Sequence, residues 1–245
     1  MKTWAGMALL LMPAIALAEP PSGVQIQRWL ANSGQSVFVV DRSNPVFKTT
    51  DNANPYAVFA QLDPDRPILS FDSSTALPFH SLSREPGYLL EADGPGGRNF
   101  SARVLIVFPQ RGLVCEHTGF GHIRSILDLD NNGVSEIVLE SIASGGGSIS
   151  GRRYLAQFDG CLAKLIRSID FDDNEGAWGK RSYRYYRHAS EWHFVDLDGD
   201  GVIDLSETRV SHEGRNGRSP IMSRQVFRYV FEDGQFARHV PTTRR

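Results

Sequence analysis

The chain has 245 residues, 41% of them hydrophobic, and a formal net charge of −2 with an isoelectric point of about 6.4. This near-neutral balance excludes the global positive field that draws proteins to nucleic acid or to anionic membranes, so we expect no nucleic-acid partner. The length allows one large β domain or two small ones.

The first eighteen residues are typical of a secretory signal peptide. A basic start precedes an apolar run from Met7 to Ala18, and the run ends in the small-residue pattern of a cleavage site. It is too short to span a bilayer, and no later stretch reaches the roughly 18 apolar residues of a membrane helix. We therefore expect residues 19–245 to be exported, periplasmic or extracellular, without a transmembrane segment.

Residues 19–119 are predicted to form an N-terminal β region. The segment 61–69 shares a Leu-Asp-x-Asp centre with an acidic loop that starts at Asp128, 128 − 61 = 67 residues later. An alternating stretch, Val104–Cys115, predicts a hairpin behind it. The segment has Arg66 where such a loop needs glycine, so we expect no metal there. The sequence leaves open whether it is a true, degenerate repeat.

Cys115 and Cys161 are the only cysteines in the chain. In an oxidising compartment two cysteines predict a disulfide, which here closes a loop of 161 − 115 = 46 residues. The alternative, a metal or thiol site formed by Cys115, His117 and His122, matches no zinc-ligand spacing.

Two stretches carry the same acidic pattern. The first acidic loop runs from Asp128 to Glu136, and the second acidic loop runs from Asp196 to Asp204, 196 − 128 = 68 residues later. Both place oxygen-bearing side chains at loop positions 1, 3, 5 and 9 and glycine at position 6, a pattern that wraps Ca²⁺. The glycine permits the sharp turn that lets position 7 offer its backbone carbonyl.

Segments that predict strands flank both loops. Apolar, alternating or β-branched residues precede and follow them, over Ile123–Leu127, Ile137–Ile142, Trp192–Val195 and Leu205–Val210, and this composition favours strands. Each copy then reaches a hairpin that turns at Asp-Gly, at 154–163 and at 229–237. A recurring strand–loop–strand–hairpin unit is typical of propeller blades and related arrays.

With strands on both sides, the acidic loops resemble those of FG-GAP and VCBS-type repeats, which occur in integrin α-chain propellers and many bacterial exported proteins. The resemblance covers about residues 120–240 and implies an all-β fold of propeller-type repeats. In that family the loop joins two strands of a blade and holds Ca²⁺. Phe120-Gly121 matches the Phe-Gly part of the FG-GAP motif, but the Gly-Ala-Pro part of the motif does not follow it. Since propellers have four to eight blades, two clear copies leave open a partial propeller, a compact β assembly or an oligomer that completes a propeller.

Carried over by position, the resemblance implies two calcium sites. The first would use Asp128, Asp130, Asn132, the Val134 carbonyl and Glu136, and the second Asp196, Asp198, Asp200, the Val202 carbonyl and Asp204. The first site offers three carboxylates and the second four, so we expect tighter binding at the second.

An EF-hand is the alternative for the second acidic loop, because Glu207 stands at position 12. An EF-hand needs helices on both sides, here at 186–195 and 205–215, whereas the flanks favour strands. The first acidic loop has Leu139 at position 12 and lacks the bidentate glutamate.

Three other segments have a marked composition. The Gly-rich stretch 144–151 and the acidic run at 170–175 predict loops. Lys180–His188 interleaves basic and aromatic residues and predicts an exposed strand; an anionic glycan or a protein would suit it as a partner. The sequence contains neither the Gly-x-Ser-x-Gly elbow of serine hydrolases nor the His-Glu-x-x-His zinc motif.

These observations predict a non-catalytic, exported calcium-binding protein that binds an unknown protein or glycan, or acts as a scaffold. Ca²⁺ would be structural. An exported hydrolase that uses a carboxylate or a metal near the acidic loops remains the enzymatic alternative.

Overall fold

The computed structural model describes residues 19–35, 38–43, 68–93, 102–145, 148–174, 184–215 and 221–239. Within these ranges the chain forms one α-helix and fourteen strands, which belong to two sheets. The predicted all-β fold is confirmed. Among the described residues, no helix is both long and apolar enough to cross a membrane.

The N-terminal sheet has six strands in the order β1-β2-β4-β5-β6, with β3 beside β4. The pair β1–β2 is parallel, and the other pairs are antiparallel. Its elements are α1 Gly23–Asn32, β1 Phe38–Asp41, β2 Ile68–Phe71, β3 Leu77–His80, β4 Pro86–Asp93, β5 Ala102–Phe108 and β6 Leu113–His117. The hairpin predicted at Val104–Cys115 is the antiparallel pair β5–β6.

Helix α1 was not predicted from the sequence. The Ser22 hydroxyl accepts from the Gln25 backbone N–H, and the Gln25 side-chain oxygen accepts from the Ser22 backbone N–H; this reciprocal pair is a capping box. Ile26 and Leu30, four residues apart and both buried, pack on the sheet together with Leu69. The helix therefore covers one face of the N-terminal sheet.

The C-terminal sheet is a meander of eight antiparallel strands in chain order, β7 to β14. The strands are β7 His122–Leu127, β8 Glu136–Gly145, β9 Ser148–Asp159, β10 Leu162–Asp173, β11 Arg184–Val195, β12 Asp204–Arg215, β13 Ile221–Glu232 and β14 Gln235–Arg238. Among the described residues, β10 and β11 pair through Asp172–His188 and Asp173–Arg187, and the Asn174 N–H donates to the Tyr186 carbonyl beside them. The sheet thus divides into a first unit, β7–β10, and a second unit, β11–β14.

One apolar core joins the two sheets. Phe79, Ile106 and Phe108 of the N-terminal sheet pack against Ile137 and Phe158 of the first unit, and all five side chains are at most 1% exposed. The predicted disulfide between Cys115 and Cys161 is confirmed, with a Cα–Cα distance of 5.5 Å. It ties β6 to the turn between β9 and β10, so the two sheets are linked covalently.

All four segments predicted as strands beside the acidic loops lie in β7, β8, β11 and β12. Two loop predictions were wrong. Residues 144–145 end β8 and residues 148–151 open β9, and Asp170–Asp173 belongs to β10. Asp170 and Asp173 are tolerated in the strand because cross-strand arginines compensate their charge, in ion pairs with Arg152 and Arg187.

Several predictions fall outside the described residues. They concern the signal peptide at 1–18, most of the segment 61–69, Glu175, and the first part of Lys180–His188; the remainder of that last segment lies in β11.

Replacing both cysteines by serine should lower the free energy of unfolding by about 3–4 kcal/mol, because the unfolded chain is no longer closed into a loop between residues 46 apart. Urea unfolding of the variant and of the wild type, each with and without reductant, measures this change. Reductant should destabilise the wild type to the level of the variant and leave the variant unaffected. Equal stability of the oxidised wild type and the variant would contradict the prediction.

Candidate metal centre

The two acidic loops lie side by side at one end of the C-terminal sheet, here called the loop end. The first connects β7 to β8 and the second connects β11 to β12. The backbone N–H of Ile203 donates to the Leu129 carbonyl at 2.6 Å, and the Asn131 side-chain amide donates to the Gly201 carbonyl at 3.4 Å. The loops therefore contact each other although β10 and β11 pair only at the opposite end.

The second acidic loop is folded around the carboxylate at its first position. Asp196 accepts hydrogen bonds from the backbone N–H groups of Gly199 at 2.6 Å and Gly201 at 3.1 Å. Both glycines have positive φ angles, 86° and 89°, a conformation that suits glycine. The N–H of Val202 donates to the Asp200 side chain at 2.8 Å, which turns the chain toward β12.

The carboxylate at position 9 closes the second acidic loop. Asp204 is 2% exposed and accepts from the backbone N–H of Leu197 at 2.9 Å and of Phe231 in β13 at 2.9 Å. Asp204, the first residue of β12, therefore links the start of the loop to the end of β13. These contacts fix the position of the loop relative to the strands of the second unit.

Three carboxylates of the second acidic loop converge. One oxygen each of Asp196, Asp198 and Asp204 lies within 4.8 Å of the other two. Oxygens bound to a single Ca²⁺ at 2.3–2.6 Å are at most about 5 Å apart, so this spacing fits one hard cation. Asp200 does not belong to the group. Within the described ranges these three acids have no ion-pair partner, and like charges this close favour a bound cation.

The first acidic loop has a related backbone pattern, in which the first carboxylate accepts from positions 5 and 6 and not from positions 4 and 6. Asp128 accepts from the N–H groups of Asn132 and Gly133, both at 3.0 Å, and the N–H of Val134 donates to the Asn132 side chain at 2.7 Å. The loop differs at position 5, where Asn132 donates its side-chain amide to Asp130 at 2.9 Å. The amide thus supplies a donor where the second loop has only acceptors.

Position 9 of the first acidic loop is more deeply buried than its counterpart. Glu136 is 0% exposed and accepts from the Leu129 N–H at 2.8 Å and from the Gln157 side chain at 2.6 Å. Burial, and to a smaller degree Asp130 and Asp128, raise the pKa of Glu136 despite these hydrogen bonds. In the part of the chain that the structure describes, the acids of this loop do not converge as those of the second loop do.

The first acidic loop is also held by the N-terminal sheet. The Ser135 N–H donates to the His80 carbonyl at 3.0 Å, and the His80 N–H donates to the Ser135 hydroxyl at 3.0 Å. Leu129 is fully buried in a cluster that includes Val202 and Ile203. Sequence reasoning did not identify Leu129, Ser135 or Gln157 as supports. Both loops carry leucine at position 2, and this shared leucine was the sequence signal that could have identified Leu129.

The EF-hand alternative is not supported by the fold, because the segments flanking the second acidic loop are strands β11 and β12. Glu207, which would be the bidentate ligand, is 0% exposed and belongs to β12. Its carboxylate accepts from Arg167 at 2.5 Å, Arg209 at 2.7 Å and the Ser190 hydroxyl at 3.1 Å. Its role is to neutralise two arginines between the units.

The charge state of Glu207 follows from these contacts. Burial by itself would raise its pKa, but the hydrogen bonds from Arg209 and Arg167 outweigh that effect and hold the pKa below its ordinary value. The same balance, with hydrogen bonds from Arg153 and Arg124, lowers the pKa of buried Glu140. Both acids stabilise the fold in the ionised form, and that contribution is lost as the pH falls.

Comparisons with protein-family models, with curated proteins and with solved structures found no match for this chain.

Glu207→Gln should lower the free energy of unfolding at pH 7 by on the order of 3 kcal/mol, the lower end of the range for a buried pair. It removes the counter-charge of Arg167, whose side chain is 18% exposed, and of the half-exposed Arg209. The difference from the wild type should shrink as the pH falls below 4.5, the ordinary pKa of the group, because Glu207 of the unfolded chain then protonates. It should be lost once the folded carboxylate also protonates, below its lowered pKa. Urea unfolding of the variant and the wild type at several pH values measures this difference in the free energy of unfolding.

Glu191→Gln is the matched control for that experiment, because the Glu191 side chain is 65% exposed on the neighbouring strand. It should change stability by less than about 0.5 kcal/mol at each pH. If the two variants behave alike, Glu207 does not hold the units together.

Proposed function

We propose that this chain is an exported calcium-binding β-repeat protein with a non-catalytic binding or scaffolding role, in which Ca²⁺ acts structurally. The observation that carries this proposal is the convergence of Asp196, Asp198 and Asp204 within 4.8 Å at the second acidic loop.

The donor set favours calcium over softer metals. All the side-chain ligands are carboxylate oxygens, and neither cysteine nor histidine belongs to the converging group; hard oxygen ligands suit Ca²⁺ and Mg²⁺. The exposed Asp200 and the Val202 carbonyl are the further ligands that the loop pattern provides. Extracellular calcium sites work at dissociation constants of about 10⁻⁴–10⁻³ M, so a site of moderate affinity would be filled in the proposed compartment.

The chain's own residues explain what such an ion would stabilise. Asp196 and Asp204 fix the backbone of the second acidic loop, and that backbone carries Gly201 and Ile203 to the first loop. A cation there would remove the repulsion among three carboxylates and so favour the loop geometry that joins the units. Its effect would be on stability and not on a reaction.

The first acidic loop is proposed as a second, weaker site, with Asp128, Asp130, Asn132, the Val134 carbonyl and Glu136 as ligands. Three carboxylates give less charge than four. The Asn132 amide that already contacts Asp130 would have to turn its oxygen toward the ion, and Glu136 would have to loosen its contact with Gln157.

The repeat character of the proposal is supported by matching contacts. In the first unit the Leu129 N–H donates to Glu136, and in the second unit the Leu197 N–H donates to Asp204. Each unit then continues through three antiparallel strands. We propose that the units are two blade-like repeats of the FG-GAP and VCBS type, packed face to face through the cluster around Leu129 and Phe231.

Calcium should raise the melting temperature of the wild-type chain, residues 19–245. Ca²⁺ at about 100 times its dissociation constant should stabilise by about 2.7 kcal/mol, which corresponds to a rise on the order of 5–10 °C for a domain of this size. Circular dichroism melts with excess Ca²⁺ and with EGTA measure the shift. Asp198→Asn should abolish most of it, because Asp198 is the exposed member of the converging group.

Asp130→Asn changes the same position of the first acidic loop and is the matched control; it should retain most of the shift. Asp233→Asn, in an exposed turn between β13 and β14, should retain all of it. A calcium-independent melting temperature in the wild type, or an undiminished shift in Asp198→Asn, would remove the second loop as a calcium site.

A further inference from the structure

A groove of about 570 Å³ crosses the first unit at the end opposite the acidic loops. Strand register explains why its side chains share one surface. Ser141, Arg152 and Asp170 are direct neighbours on β8, β9 and β10, and in the next row Ser150 and Asp172 are neighbours on β9 and β10. His188 of β11 stands opposite Asp172, so the groove reaches the junction of the two units.

The groove continues onto the second unit. A second depression of about 400 Å³ shares Asp170 and His188 with the first and extends to Arg209, Ser211 and Gln225 of β12 and β13. The two together form one elongated groove across six strands, β8 to β13. Such a length suits an extended ligand with several linked units better than a single compact molecule.

Small residues give the groove its depth. Ser141, Ala143 and Ser150 contribute short side chains to its lining. Tyr154, two residues along β9 from Arg152, shares a face with it and supplies apolar ring surface. Phe171 alternates with Asp170 and Asp172 along β10, so its ring lies on the other face of the strand, where a Cβ atom at Gly151 would be 2.5 Å from its Cζ.

The polar groups of the groove include an acceptor without a donor. Oδ1 of Asp172 is buried and has no hydrogen-bond partner within the described ranges, which is uncommon for a buried carboxylate oxygen. Nearby, the Ser211 hydroxyl lies 3.1 Å from Nδ1 of His188, and this contact fixes the orientation of the imidazole ring. A ligand that donates a hydrogen bond would satisfy Asp172.

The charge of the groove narrows the class of ligand. Arg152 forms an ion pair with Asp170, and Arg209 forms one with Glu207. Among the described lining residues this leaves Asp172 as the carboxylate without a cationic partner, which disfavours an anionic ligand. Hydrogen-bond donors and acceptors line both depressions, and the Tyr154 ring lies in the first. Neutral sugars present hydroxyl groups around their edge and C–H groups on their faces, and so match both kinds of surface.

We propose that this groove binds a neutral oligosaccharide, with Asp172 accepting a sugar hydroxyl and Tyr154 packing on a ring face. The proposal rests on the binding role proposed above and gives that role a site and a ligand class. It also departs from the anionic glycan that the composition of Lys180–His188 favours, because the groove is acidic and not basic.

The test is binding of maltotetraose, cellotetraose and tetraacetylchitotetraose to the chain 19–245 in excess Ca²⁺, by saturation-transfer NMR and isothermal calorimetry. At least one should bind with a sub-millimolar dissociation constant, and Asp172→Ala should weaken it by at least about ten-fold, the effect of one lost hydrogen bond to a charged group. Asp159→Ala, at the loop end of the same strand as Arg152, is the control and should bind as the wild type does.

Two readouts separate the possible outcomes. Asp172→Ala should unfold at the same or a higher urea concentration than the wild type, since it removes an unsatisfied buried acceptor, so lost binding would not reflect lost folding. If no sugar binds while the calcium shift is present, the groove proposal is wrong and the calcium proposal stands. Sugar binding that Asp172→Ala leaves intact, or binding of tetralysine in preference to the sugars, also overturns it.

Discussion

In each four-stranded unit, the carboxylate at position 9 of the acidic loop accepts hydrogen bonds from groups that are far apart in the chain. Glu136 joins its loop to Gln157 of β9, and Asp204 joins its loop to Phe231 of β13. Buried carboxylates are tolerated only when such donors are present. The loops are therefore fixed by the same contacts that hold the neighbouring strands in register.

The fixed loops in turn join the units. Leu129 leads the first acidic loop into a cluster with Ile203 and Phe231 of the second unit, and the Ile203 N–H bonds to the Leu129 carbonyl. Glu207 and Arg167 add a buried ion pair across the same interface. Packing at the loop end compensates for the short pairing of β10 with β11 at the other end, and the open groove lies where that pairing is located.

Local signals in the sequence were sufficient for much of this architecture. The strands beside both acidic loops, the hairpins that turn at Asp-Gly and the Cys115–Cys161 disulfide were all predicted, because each depends on residues close in the chain or on two cysteines alone. The short helix α1 was missed, although the capping box of Ser22 and Gln25 could have indicated it.

The features that the sequence did not reveal are those set by distant partners. Asp170 occurs in a strand because Arg152 lies beside it in the sheet, and an acidic run alone gives no sign of that neighbour. Glu207 has the right position for a calcium ligand but meets arginines from β10 and β12. Contact between the two acidic loops joins residues 203 − 129 = 74 positions apart, which no local pattern encodes.

The core shared by the two sheets has a consequence for the order in which the chain is made. Phe79, Ile106 and Phe108 are synthesised before Ile137 and Phe158, the residues that cover them, and Cys115 likewise precedes Cys161. Until the first unit is complete, the N-terminal sheet presents an uncovered apolar face, and such surfaces promote aggregation of partly folded chains. A chaperone or a delay in folding during biosynthesis would therefore matter most for the segment between β3 and β9.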